Sequence, residues 1–263
     1  MIPYYDKRGV VYDFAAVSRF QDNYEVILSR LYEVTNEPEY LRRAIEISRK
    51  AIESASKADM PSRIAESNWK IAKTYDILGE HIESANNFRQ ASESYVRAAE
   101  KIPQLKDFYQ DLATYMKAWS EIERARQHHK EKKYGMAKDR YEKAAELHKA
   151  TERWSYLSSN YLAWARLEEA EDLSRSEQTQ ESRDIFQQAA SLFSEARESI
   201  KNKLKTIETG EERRIAEGLV KASDVRREYC LGRMALEEAR ILDRQGDHLA
   251  SSRRYGQATE RFQ

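Results

Sequence analysis

The sequence predicts an all-α fold, a stack of about five antiparallel helix pairs with elongated helices, and three observations carry that prediction. Residues that break helices are scarce, 8 Gly and 4 Pro in 263, while 34% of residues are charged and Ala, Glu, Lys, Arg and Leu are abundant, a composition of long helices. No stretch past the first dozen residues alternates convincingly as a strand. One pattern of small and aromatic residues recurs at five places, which is the mark of a repeat.

The pattern is clearest between Ile64 and Pro103. On the first helix Ala72 and Tyr75 stand three apart, Gly79 marks the turn, and on the second helix Ser84, Phe88 and Ala91 step by four and then three. That spacing is one face of a helix. Small residues let the two helices approach, and the aromatics fill the space between them. The second-helix triplet recurs as Ala44, Ser48, Ala51, as Ala137, Tyr141, Ala144, as Ser182, Phe186, Ala189 and as Ser251, Tyr255, Ala258. Twelve residues before each triplet stand Tyr32, Ala72, Ala125, Ala170 and Ala239, and three further on Thr35, Tyr75, His128, Leu173 and Leu242. Turn glycines remain only in the second and fifth units, as Gly79 and Gly246.

This arrangement resembles the tetratricopeptide repeat family over roughly residues 24–263. The resemblance implies a right-handed α-α superhelix, a TPR-like solenoid, whose first helices line a concave groove that takes an extended or helical peptide. Two features depart from the family. Its period is about 34 residues, whereas the triplets here start at 44, 84, 137, 182 and 251, in steps of 40, 53, 45 and 69, so the helices are longer. The triplet also continues by heptads, as Ala91, Tyr95, Ala98 and Ala189, Phe193, Ala196, a signal any long packed helix shows. An ordinary antiparallel bundle is the competing reading.

In order, residues 1–13 form an N-terminal arm, rich in aromatics (Tyr4, Tyr5, Tyr12) with Pro3 and Gly9, expected to be extended and to pack on the first pair. The pairs fall near residues 14–58, 61–102, 104–150, 152–207 and 211–263. Helix one ends before Pro38, because proline disfavours helix in its predecessor. Pro61 and Ser62 suit a helix start, and the fourth helix ends before Pro103. Tyr134-Gly135 turns the long fifth helix, about 104–132, into the sixth. Thr151 opens the seventh helix, which takes Trp154 with it, and the polar run 174–180 closes it. Thr209-Gly210 is the clearest stop, ending the eighth helix near Ile207. The ninth, 211–245, turns at Gly246-Asp247 into the tenth. That last helix shows Tyr255, Ala258 and Phe262 on a repeat-like face with no polar capping helix after it, although arrays generally need one. The expectation is continuation in a longer chain, with self-association through this uncapped helix as the other way to cover the face.

Lys plus Arg and Asp plus Glu number 45 each, so no global field draws nucleic acid or an anionic membrane. No apolar run reaches bilayer length and the start lacks a secretory pattern. The single Cys230 excludes an internal disulfide framework and fits a reducing interior; cytoplasmic is the expected location. His128 and His129 point about 100° apart on a helix, His81, His148 and His248 lie in other units, and no cysteine cluster exists, so no metal and no cofactor are expected. The carboxylate pairs Glu168 with Glu169 and Glu211 with Glu212 read as solvated, without a pocket to tune them. Nucleophile motifs and phosphate-cradling glycine loops are missing, so no enzyme activity is expected.

The four tryptophans, Trp69, Trp119, Trp154 and Trp164, all fall on predicted first helices. As interface anchors they would line the groove that the resemblance implies; as structural residues they would fill space between helices. The candidate groove set is Trp69, Lys73, Trp119, Ile122, Arg126 and Trp164. The function expected is a non-catalytic adaptor that binds a segment of a partner protein. A regulatory or sensor portion of a larger effector enzyme is the alternative.

Overall fold

The computed structural model describes residues 4–5, 11–208 and 210–262, with only the backbone given for residues 4, 5, 11, 12 and 211. It forms two compact units, Met1–Glu123 and Arg124–Gln263. Within the described residues the helices pack on their sequence neighbours, as a helical repeat does, and a single two-stranded ladder joins β1 (Tyr4–Tyr5) to β2 (Val11–Tyr12). Packing of the arm against the first pair lies outside the described residues.

The first unit holds α1 (Phe14–Thr35), α2 (Pro38–Lys57), α3 (Pro61–Ile77), α4 (His81–Lys101) and most of α5 (Lys106–Lys130). Asp13 caps α1 by accepting from the Ala16 amide at 3.0 Å, and Pro38 and Pro61 open their helices at the position where a missing amide costs least. The triplets face inward: Ala44, Ser48 and Ala51, like Ser84, Phe88 and Ala91, are buried. α4 and α5 approach closely enough for the Ser92 hydroxyl to reach the Ala113 carbonyl and the Ser120 hydroxyl the Ala85 carbonyl, each at 2.8 Å. Pro103 starts a short 3-10 turn, which delays α5 to Lys106.

The second unit holds the end of α5, then α6 (Tyr134–Lys149), α7 (Ser158–Arg175), α8 (Thr179–Leu204), α9 (Glu211–Arg244) and α10 (His248–Phe262). Two boundaries differ from the sequence reading. Trp154 is on no helix: it sits buried before a 3-10 turn at Ser155–Leu157, and α7 begins only at Ser158. The Thr151 hydroxyl donates to the His148 carbonyl at 3.0 Å and ends α6 locally, while burial of the indole holds the connection down. α8 stops at Leu204 because the Arg213 guanidinium donates to the carbonyls of Leu204 (3.1 Å) and Ile207 (2.7 Å), taking over acceptors that further helical turns would have satisfied. Gly232 is buried where the Phe262 ring lies against α9, leaving no room for a Cβ.

One turn geometry repeats in four of the five pairs. Residues 79, 132, 177 and 246 are left-handed, each five positions before its triplet. The next amide donates back five residues: Glu80 to Tyr75, Lys133 to His128, Gln178 to Leu173 and Asp247 to Leu242, at 2.8 to 3.0 Å. This is the bond that satisfies orphan carbonyls at a helix end. Glycine takes the position at no steric cost in two pairs, and Lys132 and Glu177 take the same conformation without it. A second recurring bond explains the serine of the triplet. Ser84, Ser182 and Ser251 each donate to the carbonyl twelve residues earlier, of Ala72, Ala170 and Ala239, at 2.9, 2.9 and 3.0 Å. The alanine is small so that its backbone can come within reach.

Candidate functional site

In the first unit the candidate site lies on α3 and α5. Trp69, Lys73 and Asp76 follow one another by four and three on α3, and Tyr115, Trp119 and Glu123 by fours on α5, so each set shares a helix face. Their rings interlock. Trp69 meets Tyr115 edge-on at 6.3 Å, Tyr115 meets Trp119 edge-on at 6.1 Å, and Trp119 stacks on Phe88 of α4 at 5.9 Å. Lys73 Nζ stands 5.1 Å from the Trp69 ring centre, within cation–π range. Trp69, Lys73 and Trp119 are half-buried, whereas Tyr115 is buried.

One turn beyond the rings lies a cluster that the sequence reading missed. His81 Nδ1 is 2.9 Å from Glu123 Oε2, and the Glu123 side chain is completely buried. Asp76 supplies a third donor, and one ligand atom from each residue lies within 4.8 Å of the others. The left-handed Gly79 creates this proximity, because it folds the last turn of α3 and the first residue of α4 onto the same side. The spacing of 42 residues between His81 and Glu123 carries no local signal, so only the tertiary fold could reveal it.

The six groove candidates do not converge. Trp69, Lys73 and Trp119 lie together in the first unit. Ile122 is fully buried there, with no surface for a partner to touch. Arg126 and Trp164 belong to the second unit. Trp164 stacks on Tyr141 of α6 at 5.6 Å, meets Phe193 of α8 edge-on at 5.8 Å, and carries the Arg226 guanidinium of α9 4.7 Å from its ring centre. It fills space between helices, as Trp119 does against Phe88. Both rest on the middle aromatic of a triplet. Where Phe186 is that aromatic, the Arg233 guanidinium takes the tryptophan's place at 4.8 Å.

Around Arg233 the second unit buries charge between α7 and α9. Glu171 accepts from Tyr229 at 2.7 Å and from Arg233 at 2.5 and 2.6 Å, and Arg233 also reaches the Ser174 hydroxyl at 3.0 Å. Ser174 in turn donates to Glu237 at 2.7 Å, and Arg240 does so at 2.9 Å. Glu168, expected to be solvated, is fully buried, and its carboxylate accepts from His129 Nδ1 at 2.9 Å. Burial pushes the Glu168 carboxyl above its ordinary range. The hydrogen bond to Glu168 raises His129 in turn. Glu212 pairs with Arg153 at 3.1 Å. These acids are held by basic or hydroxyl partners, which is the chemistry of helix-to-helix fastening. Burial and the charge of Glu171 push the Cys230 thiol up to about 12, so it is inert in the folded state. No described helix is long and apolar enough to cross a membrane.

No protein-family model, curated protein or solved structure matches the chain.

Proposed function

We propose that this chain is a tetratricopeptide-like helical scaffold that binds a segment of another protein and performs no catalysis itself. One observation carries the reading: the partly exposed row of Trp69 and Trp119, bridged by Tyr115 and flanked by Lys73, on the first helices α3 and α5. First helices are the elements that the family resemblance assigns to partner binding. Aromatic rings with a cation beside them are the side chains that dominate interface energies, and Lys73 favours a segment that carries an acidic residue next to an apolar one. The repeated turn and the serine-to-carbonyl bond support the repeat itself.

The test is capture from native extract by the full chain, with cross-linking to locate the contact. A Trp69→Ala, Lys73→Glu double variant keeps its helical circular dichroism and loses the captured protein, and cross-links fall on α3 and α5. Capture that survives the double variant, or cross-links confined to other helices, refutes this binding face.

A further inference from the structure

Asp76, His81 and Glu123 come from three different helices, and the backbone around them is fixed. The Glu80 amide bonds the Tyr75 carbonyl at 2.9 Å, the Gly79 amide bonds the Asp76 carbonyl at 2.9 Å, and Gly79 is left-handed. Glu123 is completely buried on α5, and His81 turns its Nδ1 toward it. An imidazole with two carboxylates is a donor set for a borderline divalent cation rather than for calcium or magnesium, which prefer all-oxygen shells.

The distances suit such an ion. Bonds of about 2.0 to 2.2 Å place the donors of a tetrahedral site about 3.3 to 3.6 Å apart. The His81 and Glu123 donors stand at 2.9 Å and the whole set within 4.8 Å, so a metal would open the first pair slightly and draw Asp76 inward by a side-chain rotation. Asp76 and Glu123 have further interacting neighbours, which an ion would share or displace. The His81 side chain is 19% exposed, so solvent reaches the cluster from that side and can supply a water ligand.

We propose that Asp76, His81 and Glu123 form a three-ligand site for a divalent transition-metal ion of the zinc class, with water as the fourth ligand. Binding ties the α3–α4 turn to α5. A neutral His81 carries its proton on Nε2 in the metal-bound state, so that Nδ1 binds the ion in place of its hydrogen bond to Glu123. Glu123 lies one turn from Trp119 and Asp76 three residues from Lys73, so the ion would stiffen the end of the aromatic row.

The experiment is calorimetric titration of the full chain with zinc chloride, repeated with cobalt chloride for its visible absorption and its quenching of tryptophan emission. Wild type takes up one equivalent with a dissociation constant below about 10 µM, shows the intense absorption of a four-coordinate cobalt centre, and melts higher with metal than without. His81→Ala and, separately, Asp76→Asn lose that equivalent at least tenfold while keeping their helical content. His248→Ala, at an exposed histidine paired with Asp243, keeps it. Uptake unchanged in both site variants, or no uptake by wild type in this range, overturns the assignment. Because the readout is metal binding by purified chain, its failure leaves the partner-binding face untouched.

Discussion

The two units solve the same packing problem with different side chains. Between α3 and α5 the first unit places rings, Trp69 on Tyr115 on Trp119, partly open to solvent. Between α7 and α9 the second places ions and hydroxyls, Glu171 and Glu237 around Arg233, almost entirely enclosed. The first unit pairs charges as well, for example where Asp22 and Glu25 of α1 meet Arg63 and Lys70 of α3 at 2.9 to 3.2 Å. A partly exposed ring can bind something else without leaving a buried charge behind. A buried Arg–Glu pair cannot give up a partner so cheaply. The comparison therefore favours the first unit for the binding face proposed above, and the second unit's buried ions fasten helices to one another.

Removing the key ion from the second unit is the strongest way to break that contrast. Arg233→Ala strands a buried Glu171 and is expected to cost about 3–5 kcal/mol, read from chemical denaturation. A loss below about 1 kcal/mol would show that the network is incidental. The next effect is acid sensitivity. Burial pushes His148 down to about 3, so in the unfolded chain this histidine takes a proton near its ordinary 6.5 while the folded chain refuses it. Stability therefore falls as pH drops through this interval, by about 1.4 kcal/mol per unit, and His148→Phe removes that part of the slope in melting temperature against pH.

Smaller changes test the shared hairpin. Ser84→Ala in the first unit and Ser182→Ala in the second each lose one buried hydrogen bond and are expected to cost about 1 kcal/mol. Equal losses say that both units use the bond alike. Lys132→Gly and Glu177→Gly relieve left-handed backbone and are expected to stabilise by about 1 kcal/mol each, whereas Gly79→Ala destabilises. Trp69→Ala is the smallest in stability, within about 1 kcal/mol because the ring is partly exposed, yet the largest in partner capture. A large melting shift with capture intact would reassign Trp69 to packing.

Much of the fold was legible because it is local. The triplets, the turn glycines at 79 and 246 and the helix-opening prolines all obey spacings shorter than a hairpin, and the ten helices fall near the segments that those marks delimit. Trp154 is the exception, because a large apolar residue after a polar start looks like a helix face, and nothing in its sequence neighbourhood shows that burial holds it in a connection. The site was legible only in part. Trp69, Lys73 and Trp119 follow helical period, and Tyr115, four residues before Trp119, follows it too without a tryptophan's prominence in the sequence. Glu168 looks solvated in a charged run and is buried because α7 is covered on more than one side.

By itself the sequence determined the helices, their pairing in hairpins and, in four of the five units, the alanine twelve positions before each triplet, since periodicity and small residues act within one hairpin. The tertiary structure alone decided which carboxylates are buried, which rings are shared between pairs, and that Asp76, His81 and Glu123 meet. Burial and convergence depend on neighbours tens of residues away, and no spacing along the chain encodes the turn that folds them together.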